Sequence, residues 1–369
     1  MDRVKGRFGF GFMRPPMKDG EIDYETYCRM VDAFLDSGFN YFDMARCYMD
    51  GQCEKVMRRC LTSRYPRESY VLTDKLSPEY LTDEAGIRPL FAQQLEDSGV
   101  EYFDYYLMHA QTAELFAKYK RCRAYETALQ LKEEGKIRHM GISFHDKPEV
   151  LEQILTEYPE IEVVQIQFNY LDYEDPAVES RRCYEVCRRF EKPVLVMEPV
   201  KGGSLTALPP EAQKLLQELG GSPASDALRF VAGFEGIEMI LSGMSSLEQV
   251  EENTSLLRVP TPLSETEMNT LEQVRNVIKG QHLVGCTACR YCVKGCPKQI
   301  PIPDLFACFN AHKLYHNWNS AYYYEITTTG RGKASDCIAC GKCEKSCPQH
   351  LPIRQLLQQT AQAFESEEK

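Results

Sequence analysis

The chain has 369 residues, of which 43% are hydrophobic and 26% are charged, the balance of a soluble globular protein with a large and a small domain. Its net charge is −11 and it has no block of lysine and arginine, which argues against nucleic acid as a partner. No apolar run is long enough to span a membrane, and we expect no secretion signal. Sixteen cysteines therefore indicate metal ligands or reactive thiols in a reducing compartment, the cytoplasm.

The first 260 residues alternate short apolar runs with stretches of helical period, the pattern of repeated strand–helix units. This pattern predicts strands at 7–11, 40–42, 70–73, 103–108, 137–142, 162–167, 193–197 and 238–241. It predicts helices at 24–37, 52–61, 82–97, 119–134, 147–157, 176–190, 222–232 and 246–257. Eight such units in about 250 residues predict a (β/α)8 barrel, the TIM barrel. The alternative, a doubly wound sheet, is disfavoured because no G-x-G-x-x-G follows the first strand.

A barrel of this class places its chemistry at the carboxyl ends of its strands. Asp43, Lys75 and His109 follow predicted strands, and Tyr48 lies in the loop after Asp43. A lysine ammonium beside a tyrosine favours the phenolate, and such a phenol can protonate a carbonyl oxygen as hydride reaches the carbon. An aspartate would hold the lysine, and a neutral histidine would orient the carbonyl. The later strands end in the polar residues Ser143, Gln165, Glu198 and Ser242.

The segment from Asp43 to Glu54 resembles the aldo-keto reductase signature D-T-A-x-x-Y-G-x-S-E, and the segment 135–143 resembles the family's G-K-I-R-x-I-G-V-S. The resemblance covers residues 6 to 258. It implies an NAD(P)H-dependent oxidoreductase of a small-molecule carbonyl or alcohol, with Tyr48 as general acid, Lys75 and Asp43 tuning it, and His109 orienting the substrate. It also implies cofactor contacts from Ser143, Gln165, Met197, Ser242, Gly243, Met244, Ser245, Glu252 and Asn253.

Three departures from this family pattern bear on function. Met49 and Asp50 are inserted before Gly51. Met197 stands where the family usually has an aromatic residue that stacks on the nicotinamide ring. The loop 243–246 lacks the lysine or arginine that would pair with a 2′-phosphate, so the choice between NAD and NADP stays open.

Eight cysteines form two blocks near the C-terminus, each with the spacing C-x2-C-x2-C-x3-C-P. This is the iron–sulfur ligand run, whose fourth cysteine binds the other cluster in two-cluster ferredoxins. Zinc is the alternative, but a tetrahedral zinc site needs only four ligands and no Cys-Pro exit. By resemblance to ferredoxins, one 4Fe–4S cluster would be bound by Cys286, Cys289, Cys292 and Cys347. The other would be bound by Cys337, Cys340, Cys343 and Cys296.

These observations predict a barrel at 1–262, a helical connector at 263–280 and a mainly α-helical ferredoxin-type domain at 281–369. Forty residues separate Cys296 from Cys337, and we expect this insert to be helical near 305–316, with Cys308 buried rather than ligating. Substrate choice would rest with pocket loops at 77–83, 110–119 and 201–210.

Two hypotheses for the function follow. In the first, the barrel is an NAD(P)H-dependent carbonyl or alcohol oxidoreductase, and the clusters brace the fold or exchange electrons with a partner such as a ferredoxin. In the second, the protein transfers electrons, and its barrel has lost hydride chemistry and binds a flavin or a partner. A hydride carries two electrons and a cluster accepts one, so coupling the two would call for a flavin. The complete set of Asp43, Tyr48, Lys75 and His109 favours the first hypothesis.

Overall fold

The structure is a computed structural model that describes residues 3–176, 178–206, 208–280, 283–284, 286, 290–315, 318–347 and 351–365. The chain divides into two compact units. The first contains Met1–Tyr173, Val178–Lys201 and Ala224–Ser264, and the second contains Glu174–Ala177, Gly202–Pro223 and Glu265–Lys369. Among the described residues, no helix is both long and apolar enough to cross a membrane.

The first unit is a closed barrel of eight parallel strands, each paired with its neighbours in chain order and the eighth with the first. The strands are Phe8–Gly11, Tyr41–Asp43, Val71–Leu76, Phe103–Gln111, Ile137–Phe144, Val163–Gln167, Val194–Met197 and Ile237–Gly243. The predicted (β/α)8 barrel is confirmed. All eight predicted strands are present, because each is an apolar run that the barrel buries on both faces.

The helices around the barrel are Tyr24–Asp36, Cys53–Met57, Glu84–Ser98, Ala113–Arg121, Ala124–Glu133, Pro148–Glu157, Ser180–Arg189, Pro223–Ala232 and Leu247–Arg258. The single helix predicted at 119–134 is wrong: it is two helices, broken where Arg123 has a φ of +51°. The first of them is capped by Thr112, whose hydroxyl accepts a hydrogen bond from the Leu115 amide. Most of the loop predicted at 110–119 is therefore helical.

The barrel interior is filled by side chains from six of the eight strands, so the barrel is a packed core rather than a pore. The apolar cluster consists of Tyr41, Val71, Tyr105, Leu107, Val163, Leu195, Met239 and Leu241. Gly141 is required for this packing, because a Cβ there would lie 2.5 Å from Val163 Cγ2 and 2.7 Å from Leu107 Cδ2. Substrate access is thus confined to the ends of the strands.

The second unit is helical in the part that the structure describes. Its helices are Pro210–Gln217, Glu265–Lys279, Tyr291–Lys294, Ile302–Tyr315, Trp318–Thr328, Lys342–Lys345 and Ile353–Phe364. Glu265–Lys279 covers most of the segment 263–280, and Ile302–Tyr315 covers the helix predicted near 305–316. Pro210–Gln217 begins at the end of a segment predicted as a loop. Cys308 is buried in this unit's core with Leu305, Phe306 and Leu357.

Candidate functional site

Lys75 is fully buried at the end of the third strand and connects two of the predicted catalytic residues. Its Nζ donates to Asp43 Oδ1 at 2.7 Å and to the Met44 carbonyl at 2.7 Å. It also lies 3.4 Å from the Tyr48 hydroxyl. A buried ammonium is stable only when it is paired and hydrogen-bonded, and these contacts meet that need. The ammonium is thereby held beside the phenol oxygen.

The two residues inserted after Tyr48 form one short turn of 3₁₀ helix, Tyr48–Gly51. Met49 and Gly51 adopt left-handed backbone conformations, with φ of +53° and +78°. The turn absorbs the extra chain locally, so Tyr48 still reaches Lys75. The departure from the family signature therefore leaves the tyrosine–lysine contact in place.

His109 lies in a β-bulge near the end of the fourth strand, which extends to Gln111 rather than ending at 108. Met108 pairs with Ile142 and Gln111 with Phe144, so the fourth strand contains one extra residue. Ala110 has a φ of +55°, and its amide donates to Ser143 Oγ at 2.8 Å. Bulges beside active sites redirect a side chain, and here the His109 and Tyr48 ring centroids are 5.9 Å apart.

The His109 ring is neutral at neutral pH. Burial, then the Lys75 ammonium and His145, lower the pKa of His109 well below its usual value. Its Nδ1 lies 3.0 Å from the Ser77 hydroxyl and 3.6 Å from Cys47 Sγ. Burial raises the pKa of Cys47 to about 11, so this residue is a thiol rather than a nucleophilic thiolate. A neutral imidazole in this position can orient a carbonyl without repelling the ammonium.

Acid should destabilise the protein through His145, which follows the fifth strand. Burial and the Lys75 ammonium lower the pKa of His145 to about 4, whereas the unfolded chain binds this proton near pH 6.5. Between these values only the unfolded chain is protonated, so the free energy of unfolding should fall as the pH drops. The loss from this residue is at most about 3 kcal/mol.

Urea unfolding from pH 7.5 to 4.5 checks this prediction, comparing wild type with His145→Gln. Carboxyl groups with raised pKa, such as Asp74, are present in both proteins, so the difference between the two profiles isolates His145. The variant should lose less stability on acidification. Equal losses in the two proteins would contradict the assignment.

Two of the predicted cofactor contacts are adjacent to the tetrad. Ser143 and Gln165 are paired in register on the fifth and sixth strands and are both buried. Gln165 Nε2 donates to Asp43 Oδ2 at 3.1 Å, so Asp43 is held by Lys75 on one oxygen and by Gln165 on the other. Met197 ends the seventh strand and is partly exposed.

The other predicted contacts follow the eighth strand. Asn253 Nδ2 lies 3.5 Å from Ser242 Oγ, which ties the helix Leu247–Arg258 to the strand end. The rest of this group differs in exposure: Gly243, Ser245 and Glu252 are exposed, whereas Met244 is fully buried.

A cavity in the second unit is lined by four cysteines drawn from both blocks, Cys296, Cys337, Cys340 and Cys343. Apolar side chains such as Ile300 and Leu357 complete the wall. Among the described residues, no three His, Cys, Asp or Glu side chains are close enough to bind a single metal ion. The cysteines instead surround a cavity, as the ligands of a multi-iron cluster do. They are the set that the ferredoxin resemblance implies for one cluster.

The described parts of the two cysteine blocks share a local conformation. Arg290 and Gly341 have φ of +63° and +72°, and each precedes a one-turn helix, Tyr291–Lys294 or Lys342–Lys345, that carries the third cysteine of its block. Of the other predicted ligand set, Cys292 is buried, and Cys286 and Cys347 pack against the same core. Cys289 lies outside the described residues.

Comparison with known proteins agrees with this architecture. Residues 7–276 match the model of the aldo/keto reductase family, and residues 285–352 match that of the 4Fe-4S dicluster domain. The first match covers more than half of the chain. The protein therefore belongs to the aldo/keto reductase family of oxidoreductases and carries a C-terminal 4Fe–4S dicluster domain.

Two curated relatives are similar in sequence. The NADH-specific methylglyoxal reductase of Escherichia coli (strain K12) is 26% identical over 217 residues, which are 52% of this chain and 61% of that protein. The chain thus spans less than two thirds of this relative. An uncharacterized oxidoreductase of Bacillus subtilis (strain 168) is 24% identical over 270 residues, 66% of this chain and 85% of that protein.

Solved structures share the barrel fold. An aldo-keto reductase from Klebsiella pneumoniae in complex with NADPH has a TM-score of 0.59 at 20% identity, covering 74% of this chain and 95% of that one. The holo form of an aldo-keto reductase from Bacillus halodurans has a TM-score of 0.61 at 24% identity, covering 73% and 92%.

Proposed function

We propose that the protein catalyses NAD(P)H-dependent reduction of a small-molecule carbonyl, and the reverse oxidation of the alcohol, with Tyr48 as general acid. One observation carries this proposal. The Lys75 ammonium is paired with Asp43 at 2.7 Å and lies 3.4 Å from the Tyr48 hydroxyl. Electron relay alone gives no reason to bury a lysine beside a tyrosine, whereas proton donation to a carbonyl does.

Each residue at the strand ends would have a separate role in carbonyl reduction. A bound nicotinamide would supply the hydride, and Ser143 and Gln165 would bind its amide at the ends of their strands. His109 would hold the carbonyl oxygen through a neutral ring nitrogen while Tyr48 protonates that oxygen. Lys75 would stabilise the phenolate that remains. Asp43 would hold the ammonium in place through their ion pair at 2.7 Å.

The relatives support this proposal by what they bind. One structural neighbour holds NADPH and another holds NADP with acetate, and one curated relative is named as an NADH-specific methylglyoxal reductase. These properties point to a nicotinamide dinucleotide as cofactor and to a small carbonyl compound as substrate.

We also propose that the eight cysteines bind two 4Fe–4S clusters. Cys337, Cys340, Cys343 and Cys296 would hold the cluster in the cavity described above, and Cys286, Cys289, Cys292 and Cys347 would hold the other. The clusters would either brace the second unit or exchange electrons with a partner protein. The competing function is electron transfer to a partner such as a ferredoxin, with a flavin in a barrel that has lost hydride chemistry. The exposure of Cys340 favours it, because a cluster at the surface can exchange electrons.

The proposed activity can be tested on the full chain, purified without oxygen and loaded with iron and sulfide. Methylglyoxal serves as probe carbonyl, with NADH and NADPH tested in parallel. We expect methylglyoxal to be consumed in equimolar amount with one of the two dinucleotides. Binding of both dinucleotides without turnover of methylglyoxal or any aldehyde or ketone in a broad panel would contradict the proposal.

A further inference from the structure

Arg14 belongs to the segment that follows the first strand. Its side chain nevertheless lies against the loop that follows the eighth strand. A Cβ added to Gly243 would lie 3.3 Å from Arg14 Nη1. The Arg14 carbonyl accepts a hydrogen bond from Ser245 Oγ at 3.2 Å, between residues 231 positions apart in the chain. The guanidinium therefore lies in close contact with position 243.

The position of Arg14 bears on the missing basic residue of the loop after the eighth strand. The loop 243–246 has no basic residue of its own, yet a charged guanidinium is present beside it. A Cβ at position 243 would be in tight contact with the guanidinium, and glycine avoids that contact. The positive charge is thus supplied by the segment that follows the first strand.

Arg14 also forms an ion pair with Glu198. Arg14 Nη2 lies 3.4 Å from Glu198 Oε1, and the side chains are 29% and 16% exposed. Glu198 Oε2 is buried and has no hydrogen-bond partner among the described residues, and its backbone is left-handed at a φ of +56°. Backbone outliers of this kind cluster at ligand-binding sites. The 3.4 Å contact is longer than a typical charge-assisted hydrogen bond, so a phosphate can compete with the carboxylate for the guanidinium.

We propose that Arg14 is the phosphate-binding cation of the dinucleotide site, and that its guanidinium binds a phosphate of the nicotinamide dinucleotide in place of a basic residue on the loop 243–246. The inference rests on the proposed function. A guanidinium suits this role, because its fixed fork of N–H donors matches the oxygens of a phosphate. The phosphate is either the 2′-phosphate of NADPH or the diphosphate that NADH and NADPH share.

Equilibrium binding of NADH and NADPH to the full-length protein tests the proposal, comparing wild type with Arg14→Met. We expect Kd to rise at least about tenfold, the loss that one charge-assisted hydrogen bond to an anion represents. A rise for NADPH alone identifies the 2′-phosphate, and a rise for both identifies the diphosphate. Arg88→Met is the matched control, because Arg88 is an exposed helix residue paired with Glu134; its Kd values should equal those of wild type.

Unchanged affinity of Arg14→Met for both dinucleotides would overturn the inference while leaving the proposed function intact. Wild-type protein that binds neither dinucleotide would overturn the proposed function and the inference with it. If Arg14→Met does not fold, Arg14→Gln, which retains a polar side chain, should show the same loss.

A lysine placed at position 243 tests whether the phosphate binds beside that position. Adding Gly243→Lys to the Arg14 variant returns a positive charge to the loop, and position 243 has no left-handed backbone that would exclude a side chain. We expect the double variant to recover most of the lost affinity. A double variant that binds no better than the single one would place the phosphate away from Gly243 and overturn the proposed site.

Discussion

Replacing Tyr48 with phenylalanine should lower kcat for carbonyl reduction by about 10²- to 10⁴-fold, the usual contribution of a positioned general acid. The substitution removes only the hydroxyl that lies 3.4 Å from Lys75 Nζ. Without it, the carbonyl oxygen would have to take its proton from water at the barrel mouth. The buried Lys75–Asp43 pair remains intact, so the fold should not change.

Three further readouts make this result specific. Dinucleotide Kd and iron content should equal those of wild type, because Tyr48 belongs to neither the predicted cofactor contacts nor the cysteine set. Tyr184→Phe is the matched control, since its hydroxyl donates to the Glu235 carbonyl on the barrel exterior; its kcat should be unchanged. A Tyr48→Phe protein with wild-type kcat would remove the proton-donor assignment.

Replacing Cys296 with serine should remove about half of the iron, although this cysteine belongs to the first sequence block. Cys296 lines the cavity with Cys337, Cys340 and Cys343, so its loss leaves that cluster with three of its four thiolates. The cluster of the first block should survive. Iron and sulfide analysis, with electron paramagnetic resonance of the reduced protein, measures which cluster is lost.

Cys308→Ser supplies the control for this experiment. Cys308 is also buried in the second unit, and burial raises the pKa of its thiol to about 12, as expected of a side chain in an apolar core. It does not line the cavity, so its replacement should leave the iron content unchanged. A Cys296→Ser protein with its full complement of both clusters would contradict the exchange of the fourth cysteine between blocks.

The sequence predicts most of the barrel because each strand is a local apolar run whose periodicity can be read without knowing its neighbours. The candidate tetrad follows from the rule that barrel chemistry lies at strand ends, which places Asp43 and Lys75 together before any distance is measured. The His109 bulge escapes this reasoning, because it depends on how the fourth strand pairs with Phe144. The loop predicted at 110–119 contains few residues that break a helix, and its helix is set by the Thr112 cap.

The position of Arg14 beside the loop 243–246 could not be predicted from the sequence. Its segment, Met13-Arg14-Pro15-Pro16, contains no motif, and its partner Ser245 is 231 residues away in the chain. Only closure of the barrel, with the first strand paired to the eighth, brings the two together. The fold can thus place a basic residue from one loop beside another loop that has none.

The central claim is that hydride passes from the nicotinamide to the carbonyl carbon at the barrel mouth. The most direct measurement uses NADH or NADPH deuterated at C4, in each stereoisomer, with methylglyoxal and the iron-loaded protein without oxygen. We expect one deuterium on the carbon that was the carbonyl, from one stereoisomer only, with the cluster absorbance unchanged during turnover. Product without deuterium, formed while the cluster absorbance bleaches, would contradict direct hydride transfer and establish the electron-transfer function in its place.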